Sequence, residues 1–220
     1  MMHTQQDLIG RAEQFVQAEL AHDSSGHDWW HIHRVRQLAV RIAGEEGADV
    51  FICELAALLH DVADAKLNPD KESGMVKVAQ WLAANEADSS TSTQILHIIS
   101  NLSYNGGHNP PMNTLEGQIV QDADRLDAMG AIGIARAFAY SGWKGHLMHD
   151  PELAPRETMS EAEYRNLPAT AINHFHEKLL KLKALMNTKH GKSLAIQRHQ
   201  VMTEFLEQFH KEWEAEDGRL

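Results

Sequence analysis

Between Ile52 and Ala63, nine of twelve residues are apolar, and the exceptions include the adjacent pair His60-Asp61. A stretch of that composition goes inside any fold it joins. It carries two ionisable groups with it, which costs several kcal/mol unless they find a partner there. One metal ion satisfies an imidazole nitrogen and a carboxylate oxygen together.

Apolar residues recur at three- and four-residue spacing along nearly the whole chain, and no segment shows the period-two alternation of a half-buried strand. The expectation is an all-α protein. A first helix is predicted over about 5–21, with Thr4 and Asp7 as its capping pair. A second, over about 29–45, carries Ile32, Val35, Leu38, Ala39 and Ile42 on one stripe. The His60-Asp61 helix is third, followed by helices over about 75–85 and 91–101 and one from Leu115 that is capped by Thr114. Gly130–Tyr140 is small and apolar, suited to close helix packing. The stretch 141–169, with Gly142, Gly145, Pro151, Pro155 and Pro168, is long enough for a lid, and helices over 170–186 and 192–214 finish the chain. One domain over 1–220 is expected, with a metal-binding core at about 22–140, a lid-like loop at about 141–169 and C-terminal helices over 170–214.

A chain of 220 residues with 43% hydrophobic content can build one sizeable core. No apolar run approaches the roughly 18 residues of a membrane span. The start, Met1-Met2-His3-Thr4-Gln5, lacks the basic and apolar segments of a secretory leader. Cys53 is the single cysteine, so no disulfide framework is expected, which suits a reducing cytoplasm. A formal net charge of −11 without a basic block argues against nucleic-acid binding. An anionic substrate would then need a local positive centre.

On a helix, His60 and Asp61 project about 100° apart, so they meet at one ion only if other helices close around it. His31 precedes the stripe residue Val35 by four positions and shares its core-facing side, whereas His33 falls between stripes. The segment Gln121-Asp122-Ala123-Asp124-Arg125-Leu126-Asp127 offers a fourth ligand, Asp124 or Asp127. Two histidines and two aspartates leave a divalent ion near neutral, with positions open for water and substrate. Nitrogen and oxygen donors of this kind accept Mn, Ni, Co, Fe, Zn or Mg.

His31, then His60-Asp61, then Asp124 in an Ala-Asp-Arg-Leu-Asp context resemble the HD-domain metal-dependent phosphohydrolases, an all-helical superfamily named for the His-Asp pair. Two further segments are similar to its small bacterial YpgQ/YedJ-type branch. One is His60-Asp61-Val62-Ala63-Asp64-Ala65-Lys66, and the other is Asn173-His174-Phe175-His176-Glu177-Lys178-Leu179-Leu180-Lys181-Leu182. The resemblance runs from about His22 to the last helix.

It implies an HD-type helical bundle with one divalent metal ion held by His31, His60, Asp61 and Asp124. Asp124 is preferred over Asp127 because relatives place the ligand at the first carboxylate of the Asp-x-x-Asp pattern; Asp127 then supports the ligands or faces substrate. Asp64, three positions past the pair, takes the place of a proton-transfer group. His97 and His108 do not reproduce the spacing by which some relatives hold a second metal. The implied reaction is hydrolysis of a small phosphorylated molecule, a nucleoside triphosphate cut to monophosphate and pyrophosphate. Arg34, Arg125, Lys66, Lys144 and Lys178 are the candidate phosphate contacts. A phosphodiesterase acting on a cyclic or linear diester and a catalytically idle metal- or nucleotide-binding regulator are the alternatives. A purely structural ion would need no proton carrier, which favours the enzyme.

Overall fold

The computed structural model describes residues 4–21, 28–64, 67–102, 112–156, 169–216 and 218. Nine α-helices and no strand occur among the described residues. Lys66, His108 and the 157–168 part of the expected lid lie outside them. Contacts divide the chain into two compact units, Met1–Asp124 and Arg125–Leu220.

The first unit is built around α3 (Val50–Leu59), which packs against α1 (Gln5–Glu19), α2 (Trp29–Glu46) and α5 (Ser89–Leu102). A helix apolar on every side belongs in the interior, and Leu55, Leu58 and Leu59 are completely buried. Each such side chain contributes roughly 1.5–3 kcal/mol. Asp49 starts α3 by accepting the Ile52 N–H at 3.2 Å. Asp28 does the same for α2, accepting the His31 N–H at 2.9 Å, and Gly47 ends that helix in the left-handed conformation (φ 71°, ψ 30°).

Helix α4 (Lys71–Ala84) starts four residues earlier than the periodicity suggests. Its cap is Asp70, which accepts the Ser73 N–H and hydroxyl, both at 2.7 Å. Asp88 likewise starts α5 at Ser89, accepting the N–H groups of Ser90 and Thr91 at 2.9 Å. Thr114 caps α6 (Leu115–Asp127) through the Gly117 N–H at 3.2 Å.

In the second unit, α7 (Gly130–Lys144) runs four residues beyond its expected end, to Gly145 in the left-handed conformation (φ 70°). Residues 141–144 are therefore helix rather than lid. The single helix expected over 170–186 is instead α8 (Ala171–Glu177) followed by a 3-10 segment (Leu179–Leu185). The break falls at Lys178, whose φ of −135° and ψ of −61° leave the helical region. The last helix, α9 (Lys189–Trp213), begins at a Thr188 cap. Phe138, Phe175 and Phe205 form the aromatic centre of this unit, with ring centroids 5.7–6.3 Å apart.

His174 of α8 is acid-sensitive. Burial pushes its imidazole down to about 3 from an ordinary 6.5; Lys178 acts in the same direction and Glu177 opposes. The unfolded chain therefore takes up the proton first, so stability is full above about pH 6.5 and falls as pH drops from there towards 3. Between pH 7 and pH 5 the loss is about 2 kcal/mol, a drop in Tm of about 5 °C for a chain of this size. Thermal unfolding at the two pH values checks this, and His174→Gln should flatten most of the difference.

Candidate metal centre

The site grows from the end of α3. Past Leu59 (φ −92°, ψ −5°) the backbone tightens into a 3-10 turn, His60–Ala63, and leaves it at Asp64 in extended conformation. The Asp64 N–H donates to the Asp61 carbonyl at 2.9 Å. Asn68 Nδ2 donates to the carbonyls of Val62 and Asp64 at 2.8 and 2.9 Å, satisfying acceptors that the helix end leaves open. The tighter winding holds His60 and Asp61, 6% and 7% exposed, against the apolar interior.

His31, 1% exposed, enters from the first turn of α2, and Asp124, with a side chain 36% exposed, from α6. Asp61 spreads its oxygens between the two histidines, Oδ2 at 3.3 Å from His31 Nε2 and Oδ1 at 3.3 Å from His60 Nε2. Asp124 Oδ1 lies 3.6 Å from His31 Nε2 and 3.9 Å from His60 Nε2. The ligand atoms of His31, His60 and Asp124 all fall within 4.8 Å of one another. Two donors each about 2.1 Å from one ion stand roughly 3.0–3.4 Å apart at octahedral or tetrahedral angles, so the cluster is on the scale of a metal site.

The orientation of the His60 ring supports the same fit. Its Nδ1 is 2.7 Å from the Ala57 carbonyl, an acceptor only, so Nδ1 donates there and Nε2 is the nitrogen turned to the cluster. That Nε2 is buried and makes no hydrogen bond among the described residues. A divalent cation with nitrogen and oxygen ligands accounts for it.

The remaining predicted residues have distinct surroundings. Asp64 is half-buried, directly after the 3-10 turn, and Arg34 is half-buried on α2, one turn past His31. Asp127 belongs to the second unit, where it is buried and paired with Arg136 of α7 at 2.8 Å. Arg125 donates from Nη1 to the Leu185 carbonyl, bracing the 3-10 segment. Lys144 is exposed and lies 4.9 Å from the centre of the Trp143 ring, and Lys178 sits half-buried at the break after α8. Cys53 is core: burial pushes its thiol up to about 12, with Glu116 and Asp49 adding to the effect, so it is neutral and a poor ligand.

Two supporting residues carry no sequence signal of their role. Ala57 acts through its carbonyl, which every residue has. Gly74, in the first turn of α4, passes directly over the 3-10 turn; a Cβ there would lie 2.6 Å from the Ala63 carbonyl oxygen and 2.7 Å from Ala63 Cα.

An HD domain matches residues 29–129, a span that contains the whole cluster. The chain is 40% identical to the YpgQ protein of Bacillus subtilis over 209 residues, 93% of this chain and 94% of that one. A crystal structure of YpgQ in complex with ADP superposes with a TM-score of 0.74 at 38% identity, covering 93% of this chain and 97% of that chain. An HD-superfamily hydrolase from Bacillus thuringiensis gives a TM-score of 0.76 at 48% identity, with 96% and 100% covered. A protein of Lactobacillus plantarum gives 0.85 at 46%, with 94% and 97% covered. With the His-Asp pair seated at the end of a buried helix and relatives matched over nearly their full length, the chain belongs to the HD-domain family, in its YpgQ-like branch, and is a metal-dependent hydrolase.

Proposed function

We propose that the protein is a phosphohydrolase that cuts a nucleoside triphosphate to its monophosphate and pyrophosphate. The observation that carries the reading is the convergence of His31, His60 and Asp124 on one point, with Asp61 between the histidines. The ADP complex of the similar YpgQ supports a nucleotide as the substrate class.

His31, His60, Asp61 and Asp124 would hold the divalent ion, with Mn, Ni, Co, Fe, Zn and Mg all compatible with the donors. Once bound, such an ion supplies a Lewis acid that lowers the pKa of water and withdraws charge from a phosphoryl oxygen. The Ala57 carbonyl fixes the His60 ring through Nδ1, so the ring needs no reorganisation when substrate arrives. Asp64 accepts the proton of the attacking water. The water oxygen bonds to the α-phosphorus, and the bond from phosphorus to the bridging oxygen breaks as pyrophosphate leaves. Arg34 answers phosphate charge within one helical turn of His31.

The test is a panel of nucleoside triphosphates, phosphomonoesters and cyclic and linear diesters, each with Mn, Ni, Co or Mg, with products identified by mass. Monophosphate and pyrophosphate from a triphosphate are expected; turnover of diesters alone overturns the reading. Asp64→Asn should keep metal stoichiometry while the rate falls by about 10²–10⁴-fold, the usual contribution of a positioned proton carrier. Loss of metal in that variant would make Asp64 a ligand instead.

A further inference from the structure

Helix α2 opens with Trp29-Trp30-His31, and successive residues turn by about 100°. His31 points into the cluster. Trp30, one residue earlier, is 61% exposed. An indole left open is unusual in a side chain that normally buries its large apolar face. It is nevertheless held. The His33 ring meets it edge-on at 5.8 Å and 85°, and also meets Trp29, tilted, at 5.9 Å and 48°. The Trp30–His33 contact is T-shaped, so it braces the indole without stacking over it.

Arg34 lies four residues after Trp30 and three after His31, so on a 100° rotation it falls between them, about 40° from Trp30 and about 60° from His31. Reading around α2 gives an open aromatic ring, a guanidinium and then a metal ligand. A nucleotide has the same order of parts, with a flat base, a charged phosphate chain and the phosphoryl group that reacts.

Resting on the nucleotide reading above, we propose that Trp30 is the base platform of the site, stacking on the nucleobase whose phosphates reach His31, His60 and Asp124. Stacking of this kind is tolerant of sequence because every base has a π-face. The expected specificity is therefore for the presence of a base rather than for one particular base. His33 is the positioning residue that keeps the indole oriented.

The experiment measures binding of ADP and of pyrophosphate to the full-length, manganese-loaded protein by calorimetry, for the wild type, Trp30→Ala and Trp30→Phe. Circular dichroism confirms that each variant is folded. The two probes share their phosphate chemistry and differ in the nucleoside. In Trp30→Ala the preference for ADP over pyrophosphate should fall about ten-fold, and Trp30→Phe should restore most of it. A preference in Trp30→Ala within two-fold of wild type overturns the platform and leaves the nucleotide reading standing. A parallel weakening of both probes also overturns it, because it would place the effect on the phosphate end. A wild-type protein that shows no preference for ADP and cuts no nucleoside triphosphate overturns the nucleotide reading itself.

Discussion

Asp61→Ala is expected to abolish both metal retention and turnover while leaving a folded protein. Within the cluster, Asp61 is the carboxylate that approaches both histidines at 3.3 Å, closer than Asp124 comes to either, so no neighbour replaces it. Losing the ion removes several kcal/mol of charge stabilisation at a phosphoryl group, which corresponds to about 10³-fold or more in rate. The fold should survive, because a buried carboxylate that loses its metal costs desolvation energy rather than supplying stability. Metal analysis after gel filtration and a rate measurement at saturating manganese check the first part. The second is checked by Tm. In the wild type a chelator should lower Tm, since an ion bound only by the native state stabilises it by mass action. In Asp61→Ala the chelator should have no effect. Wild-type turnover in the metal-saturated variant would remove Asp61, and with it the four-ligand set, from the mechanism.

Gly74→Ala should lower stability and metal affinity together, although the residue carries no chemistry of its own. The added methyl would sit 2.6–2.8 Å from the backbone atoms of Ala63, and backbone cannot rotate aside as a side chain can. Helix α4 must retreat from the 3-10 turn, and that turn carries His60 and Asp61. Overpacking of this kind costs about 1–3 kcal/mol, or roughly 3–10 °C in Tm at this chain length. Because the strain enters at the ligand turn, metal affinity should fall by about 10–100-fold, the range seen when the support of a ligand is disturbed. Gly10→Ala is the control. Gly10 lies inside α1 with nothing within 4 Å of its added Cβ, so it should gain helix propensity, about 0.5–1 kcal/mol. Equal Tm values for the two variants would refute the close crossing.

Much of the first unit is legible in the sequence. The run Ile52–Ala63 announces a helix buried on all sides, and α3 is one. Val35 places His31 on the inner side of α2, and His31 is 1% exposed. Helix starts are harder to read. Asp70 and Asp88 are capping residues, but each belongs to a polar stretch that reads equally well as loop, so apolar periodicity alone starts α4 and α5 too late. The break at Lys178 lies inside an unbroken leucine pattern, where neither glycine nor proline marks it.

Periodicity and burial are local properties. They make this chain helical, send His31, His60 and Asp61 inward and narrow the candidates for a fourth ligand to Asp124 and Asp127, because each follows from which residues lie within a few positions of one another. What separates those two carboxylates is three-dimensional. Asp124 stands 3.6 and 3.9 Å from the two histidines, while Asp127 is taken by Arg136 from another helix. The closeness of α4 to the ligand turn, which only a glycine permits, is a tertiary property too. Distances between helices depend on contacts among residues far apart in the chain, and no spacing along one helix encodes them.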